Sequence, residues 1–244
     1  MRNNREYLAV PICLVNWALL SNRSNHLGLY TYLKFLAIKS GGYLFLNDVT
    51  YDDLGKALNV TPKSAKKYWT WLIENKWITV NRKRKVFRII SSSRVVDKLP
   101  IEKKEKRKCR VYMNGIRNFK ALWCGVLISY HWRQKRYYER MAKPEIVSFI
   151  KTKYPKGFYP MSLDYIAKNL KVSISTACRY LKLAENSGYL DVKANFIDTD
   201  IKNENFYYLQ KILSDNNSSS FIRRGKGGNI VKVGPNFIRS NFIQ

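Results

Sequence analysis

The residues with the clearest binding chemistry are cations and hydroxyls at the start of two similar segments of the chain. The first set is Lys63, Ser64, Lys66 and Lys67, and the second set is Ser175, Thr176 and Arg179. Lys and Arg donate hydrogen bonds to phosphate oxygens and to the acceptor edge of guanine, and hydroxyl groups bond to several base edges. A third set places four cations in succession, namely Arg82, Lys83, Arg84 and Lys85. These residue types predict contact with nucleic acid.

The net charge also indicates an anionic partner. The chain has 244 residues, with 45 Lys and Arg against 17 Asp and Glu, so its formal net charge is +28. Hydrophobic residues make up 45% of the chain and aromatic residues 14%. This apolar content is sufficient for a folded core and excludes a fully disordered polycation.

Motifs of the common enzyme classes are absent from the sequence. The run Gly225-Lys226-Gly227-Gly228 lacks the earlier glycine and the following Ser or Thr of a phosphate-binding loop, and neither H-E-x-x-H nor G-x-S-x-G occurs. The four cysteines form no C-x-x-C pair and there are only two histidines, so neither a zinc site nor a disulfide framework is expected. We therefore expect a protein with no enzymatic activity, no cofactor and no metal.

A repeat contains the first two sets of residues. A shift of 112 residues aligns Val49 to Val80 with Met161 to Val192 without a gap. The identical pairs are Asp52/Asp164, Lys56/Lys168, Leu58/Leu170, Val60/Val172, Ala65/Ala177, Tyr68/Tyr180 and Val80/Val192. Because the matches recur at helical spacing and include cap positions, they indicate one supersecondary unit present twice.

The pattern in the first copy predicts two short helices followed by a β-hairpin. Thr50 and Thr61 are N-cap candidates, and Pro62 suits the first position of the second helix. The apolar residues of that helix recur at three- and four-residue steps, namely Ala65, Tyr68, Trp69, Leu72 and Ile73. Strand composition at 77–80 and 86–90 puts the four consecutive cations at the hairpin tip.

The stretch from Leu27 to Ile90 resembles a winged helix-turn-helix domain. The residues that carry the resemblance are Thr50 to Val60, Thr61 to Lys67 and Glu74 to Ile78, with Ser162 to Val172, Ser173 to Arg179 and Glu185 to Leu190 in the second copy. The opening Tyr7-Leu8-Ala9-Val10-Pro11, followed by this unit, is also similar to the start of winged-helix replication initiators of plasmids and phages.

The resemblance implies that the second helix of each copy is a recognition helix, with its first residues facing base edges in the DNA major groove. The implied DNA contacts are Lys63, Ser64, Lys66 and Lys67 in the first helix and Ser175, Thr176 and Arg179 in the second. Arg179 suits guanine because a guanidinium can bond both of its acceptors. Arg82 to Lys85 would form a wing against phosphate. A merely solvated helix face is the alternative for the two helix sets.

We expect a mainly α fold with small β-hairpins, of the α+β class, in which a basic linker and a helix join two winged-helix domains. The expected boundaries are 1–90 for the first domain with an N-terminal packing segment, 91–118 for the linker, 119–213 for the second domain with a preceding long helix, and 214–244 for a flexible basic tail. A helix over Glu145 to Lys153 should open the second domain. Asp198, Asp200 and Glu204 make the second hairpin acidic, so we expect it to turn away from DNA or to contact a protein.

These features favour a double-stranded DNA-binding protein of the cytoplasm and nucleoid, acting as a transcription regulator or replication initiator of a mobile element or phage. A second copy of the chain and the replication or transcription machinery are further candidate partners, and no membrane partner is expected. Two other classes stay open. One is a phage structural or architectural protein that packs nucleic acid without sequence choice, and the other is a winged-helix module that binds proteins.

Overall fold

The computed structural model describes residues 7–81, 83–101, 107–112, 116, 118–142, 157–193, 196–198, 221–224, 230–233 and 235–242, with backbone alone for 196–198, 221–224 and 230–233. These residues form helices and small antiparallel sheets, which is the mixed composition expected of the α+β class. Contacts along the chain divide it into two compact units, Met1–Leu127 and Ile128–Gln244. Among the described residues, no helix combines the length and apolarity needed to cross a bilayer.

The first unit begins with a strand and alternates helices with short strands. Its elements are β1 Leu8–Pro11, α1 Ile12–Leu20, α2 Ser24–Leu36, β2 Tyr43–Phe45, a 3-10 turn at Leu46–Asp48, α3 Tyr51–Leu58, α4 Pro62–Glu74, β3 Ile78–Asn81, β4 Val86–Ile89, α5 Ser92–Lys98 and β5 Lys108–Val111. Helix α6, Phe119–Ala142, then crosses the division between the units.

The core of the first unit is rich in aromatic residues. Tyr30, Trp77, Phe87 and Trp123 are each at most 2% exposed, and the indole of Trp123 donates a hydrogen bond to the carbonyl of Ser24 at 3.0 Å. Strand β4 lies between β2 and β3 in an antiparallel sheet. This sheet and the indole bond hold α2, α4 and the start of α6 around one interior.

The segment predicted as a basic linker, 91–118, contributes packed elements to the first unit. Val95 and Val96 of α5 and Val111 of β5 are buried, and β5 pairs antiparallel with β1, with Leu8 opposite Val111. The described parts of this segment are therefore not a solvated tether. The few apolar residues of this segment are spaced among many cations. The sequence therefore indicates a solvated linker and does not reveal which residues are buried.

The second unit repeats the central part of the first. Its elements are β6 Tyr159–Pro160, α7 Leu163–Leu170, α8 Ile174–Asn186, β7 Leu190–Lys193, β8 Phe196–Asp198, β9 Phe221–Arg224, β10 Ile230–Val233 and β11 Phe237–Ser240. Every bound of α7, α8 and β7 equals that of α3, α4 and β3 shifted by 112 residues. The alignment read from the sequence therefore corresponds to a structural repeat.

The end of the chain differs from its prediction as a flexible tail over 214–244. Strand β11 is the central strand of the sheet β6-β11-β7, and its Phe237 and Ile238 are buried. Residues 194–236 thus separate two neighbouring strands that residues 82–85 join in the first unit. Strands β8, β9 and β10 from within this insertion form a second sheet of their own.

The predicted second hairpin is also different in the structure. Strand β8 does not return along β7 but pairs with β10, with Asp198 opposite Val231. Strand β7 pairs instead with β11. Asp200, Glu204 and the helix predicted over Glu145 to Lys153 lie outside the described residues.

Candidate nucleic-acid interface

A tight turn joins the two short helices in each unit and sets the angle at which the second helix leaves. Asn59 ends α3 in the left-handed region with φ 52° and ψ 49°, and Lys171 ends α7 with φ 54° and ψ 45°. The next amide closes the turn on the helix carbonyl, from Val60 to Gly55 at 2.9 Å in the first unit. The same bond runs from Val172 to Ala167 at 3.0 Å in the second.

Hydroxyl caps start both basic helices. Thr61 Oγ1 accepts a hydrogen bond from the Ser64 amide at 3.2 Å, and Ser173 Oγ accepts one from the Thr176 amide at 3.3 Å. The capping hydroxyls also donate to Ser64 Oγ and to Thr176 Oγ1, both at 3.0 Å. Ser64 and Thr176 therefore help to hold the start of their helices. The sequence pattern predicts only a contact with bases for these two residues.

The two faces of α4 divide as its sequence pattern predicts. Ala65, Trp69 and Leu72 are buried against the unit, whereas the first half of the opposite face is exposed and cationic, namely Lys63, Lys66 and Lys67. No carboxylate of the described residues forms an ion pair with these three ammonium groups. Their charge is therefore available to an external anion.

The corresponding face of α8 carries less charge and more hydroxyl groups. Ser175 and Arg179 are exposed there, and the Arg179 guanidinium donates to Thr176 Oγ1 at 3.0 Å. Arg179 therefore bonds to a residue of its own helix and remains exposed to solvent. Cys178 stands where the first unit has Lys66, which further lowers the positive charge of this face.

A pocket beside α4 contains residues that sequence reasoning missed. It has a volume of about 390 Å³ and is lined by Arg23 and His26 together with Lys63, Lys66, Lys67 and Trp71. Arg23 lies just before α2, far from the repeat in sequence, so no local pattern points to it. The packing of α2 against α4 brings its charge to the cationic face.

Contacts with aromatic rings hold Arg23 and His26 at this pocket. The Arg23 guanidinium lies 5.0 Å from the centroid of the Trp71 ring, and the His26 ring lies 4.7 Å from Trp71 and 4.8 Å from Tyr68. Burial, with the nearby charges of Arg23 and Lys67, lowers the pKa of His26 to about 4. The imidazole is therefore neutral at physiological pH.

The predicted first wing is a short connection between β3 and β4. Lys83, Arg84 and Lys85 are exposed there, and the Arg84 amide donates to Asn81 Oδ1 at 3.1 Å. Lys85 has φ 50°, a conformation that turns the chain back into β4. Arg82, the fourth cation of the set, lies outside the described residues.

The position of a wing in the second unit is taken by the insertion 194–236. The strands that flank it are joined by an ion pair between Asp191 and Arg239. Hydrogen bonding from Asn241 and Arg239 lowers the pKa of Asp191. The Asp191 carboxylate therefore bonds to residues of its own sheet region, Arg239 and Asn241.

Within the described part of the chain, no cluster of three or more His, Cys, Asp or Glu residues has the arrangement needed to hold a metal ion. The chemistry that these surfaces offer is hydrogen-bond donation and positive charge. Comparisons with protein-family models, with curated proteins and with solved structures gave no match to this chain.

Proposed function

We propose that this chain is a non-enzymatic protein that binds double-stranded DNA through two winged-helix units, as a transcription regulator or replication initiator of a mobile element or phage. The observation that carries the proposal is the outward face of α4. There Lys63, Lys66 and Lys67 are exposed without an ion-pair partner among the described residues. In helix-turn-helix proteins this part of the second helix faces the base edges.

The repeated geometry supports a shared use of α4 and α8. Each helix has 13 residues, which gives a length of roughly 20 Å at 1.5 Å per residue. The major groove of B-DNA is about 12 Å wide and admits an α-helix. Both helices are held by the same turn and the same type of hydroxyl cap, so both can present their first two turns to a duplex.

The difference between the two faces supports a division of labour. The lysines of α4 act as point charges and favour contact with phosphate. Arg179 and the hydroxyls of α8 are better suited to base edges, because a guanidinium bonds two acceptors of guanine at once. The first unit would then supply most of the affinity and the second more of the sequence discrimination.

Selection of binding sites from random duplex DNA at two salt concentrations tests the proposal, followed by affinity for the selected site and for a scrambled duplex. An enriched motif that persists at the higher salt supports a regulator or initiator. Tight binding without a motif supports an architectural packing protein instead, and absence of nucleic-acid binding supports a protein-binding module. Either of the last two results contradicts the proposed function.

A charge-matched pair of variants tests the face itself. Replacing Lys63, Lys66 and Lys67 by Gln should reduce duplex affinity at least tenfold, since it removes three phosphate-directed cations. The control replaces three exposed cations away from this face, namely Lys39, Arg94 and Lys98. Equal losses from both variants would show that net charge, and not this helix face, determines binding.

A further inference from the structure

The pocket at the start of α2 has the composition of an anion site. Arg23, Lys63, Lys66 and Lys67 line it, and Glu74 is the carboxylate of its lining. Glu74 lies seven residues beyond Lys67 on α4, which is about 10 Å along the helix axis. The end of the pocket between Arg23 and the first turns of α4 is therefore strongly positive.

The Arg23 guanidinium is held in place with donors to spare. It stacks on Trp71, and one of its nitrogens lies 3.3 Å from His26 Nε2. A guanidinium has five N–H donors and no acceptor, so the contact with His26 uses one of them. No carboxylate of the described residues forms an ion pair with Arg23.

His26 contributes a second unsatisfied donor. Because the guanidinium can only donate, Nε2 accepts, and the neutral ring carries its proton on Nδ1. His26 is 5% exposed, and its Nδ1 has no hydrogen-bond partner in the described structure. Buried donors are rarely left without an acceptor in folded proteins, and the ring that carries this one is part of the pocket lining.

The N-terminus of α2 adds to the positive potential. Helix α2 starts at Ser24, between the two pocket residues Arg23 and His26, and no side chain caps it. Its first amide groups and the positive end of its dipole therefore favour a negative ligand. The pocket thus joins a stacked arginine, a neutral imidazole ring, an uncapped helix start and three lysines.

We propose that this pocket binds one phosphate group, which in the complex with DNA is a phosphate of the duplex backbone. The source of the phosphate rests on the proposed function, whereas the chemistry of the pocket does not. Docking one phosphate on Arg23 would set the register of α4 in the groove, since phosphate contacts position a protein on the duplex. Arg23 is then a positioning residue that fixes how α4 lies on the duplex.

The first experiment locates the phosphate on DNA. Single phosphates of a bound duplex are replaced in turn by uncharged methylphosphonate, and affinity is measured for the unmodified chain, for Arg23→Gln and for the control Arg94→Gln, whose side chain is exposed on α5. One position should weaken binding of the unmodified chain and of the control about tenfold, as expected for a charge-assisted hydrogen bond. The same replacement should weaken binding of Arg23→Gln less than about twofold, because the contact is already lost.

The salt dependence gives an independent reading of the same contact. Loss of one phosphate contact lowers the slope of log affinity against log salt by about 1. Arg23→Gln should show this change and Arg94→Gln should not. Identical methylphosphonate profiles and identical slopes in the two variants would overturn the proposal while leaving duplex binding, and so the proposed function, intact.

The second experiment examines the imidazole directly in the full chain. The chain has two histidines, so ¹⁵N-labelled His gives two pairs of ring-nitrogen signals, which His131→Gln assigns. The His26 Nδ1–H signal should shift on addition of duplex DNA and, at higher concentration, of inorganic phosphate. A shift with inorganic phosphate in a chain that binds no DNA would support the phosphate site and reject the proposed function, whereas no shift with either ligand would reject the site.

Discussion

Arg88 and Arg239 occupy equivalent positions in the central strands of the two sheets that complete the repeated units. The guanidinium carbon of Arg88 lies 5.6 Å from the centroid of the Tyr43 ring, and that of Arg239 lies 5.1 Å from the centroid of the Phe158 ring. Each arginine thus covers an aromatic residue at the strand that precedes its helix pair, with Tyr43 in β2 and Phe158 just before β6. The two residues are equivalent although the 112-residue shift does not relate them, since residues 194–236 intervene in the second unit.

This equivalence predicts that the last strand is required for the fold of the second unit. Ile238 is fully buried, and its carbonyl accepts a hydrogen bond from the Trp132 indole at 2.7 Å. Ile238→Ala should lower the free energy of unfolding by about 2–5 kcal/mol, the usual cost of removing a large buried aliphatic side chain. Thermal and urea unfolding followed by circular dichroism measure the change. The control is Lys182→Ala, which changes an exposed residue of α8. Equal stability of the two variants would contradict a structural role for β11 and would support the predicted flexible tail.

The two repeated helix pairs, α3 with α4 and α7 with α8, could be predicted closely because their signals are local. Thr50 and Thr61 mark helix starts by accepting a hydrogen bond from the amide three residues later, and Pro62 stands in the first turn, where its fixed φ suits a helix. The spacing of Ala65, Trp69 and Leu72 then predicts the buried face without knowledge of the rest of the chain. Both copies follow these rules, so their bounds agree with the sequence pattern.

The strands that complete each unit could not be predicted in the same way, because pairing partners lie far apart in the chain. Phe237 and Ile238 are one of several short apolar runs in a segment rich in Asn, Ser and Gly, and only their pairing with β7 and β6 makes them part of the core. Arg23 presents the same difficulty at the candidate site. Arg23 lies near Lys67 only because α2 packs against α4. The spacing of residues in the sequence does not predict this packing.

The end of each basic helix offers a matched backbone test. Lys76 has φ 58° at the position where the second unit has Gly188 with φ 75°. A side chain costs about 1–2 kcal/mol in this left-handed region, which glycine adopts freely. Lys76→Gly should therefore be neutral or raise stability by up to about 1 kcal/mol, after the added flexibility of the unfolded chain is counted.

Gly188→Ala is the converse change and should destabilise by about 1–2 kcal/mol. A Cβ at this position would meet no atom within 4 Å, so the cost would come from the backbone conformation alone. Chemical denaturation of both variants measures the two effects. Destabilisation by both changes would contradict the view that the two turns obey the same conformational rule.

The lowered pKa of His26 predicts a stability that depends on pH. The folded-state pKa of about 4 lies below the usual value of 6.5, so between these values the unfolded chain binds a proton that the folded chain does not. Stability should therefore fall as pH decreases from 6.5 towards 4, by up to about 1 kcal/mol per pH unit. His26→Phe should flatten this part of the profile, whereas His131→Gln should leave it unchanged. Urea unfolding at half-unit pH steps provides the comparison, and a flat profile in the unmodified chain would contradict the neutral imidazole.

The proposed roles of the second helix and the first wing predict two different kinds of defect. Arg179→Ala removes a guanidinium suited to guanine, so it should reduce discrimination at one base pair by about 1–3 kcal/mol. Replacing Lys83, Arg84 and Lys85 by Ala removes exposed cations at a hairpin tip, so it should weaken all duplexes alike and lower the salt slope by up to about 3. Affinities for the selected site, for single-base variants of it and for a scrambled duplex separate the two outcomes. If both variants lost affinity equally for every duplex, Arg179 would be a phosphate contact, and the reading of bases would have to be sought on α4.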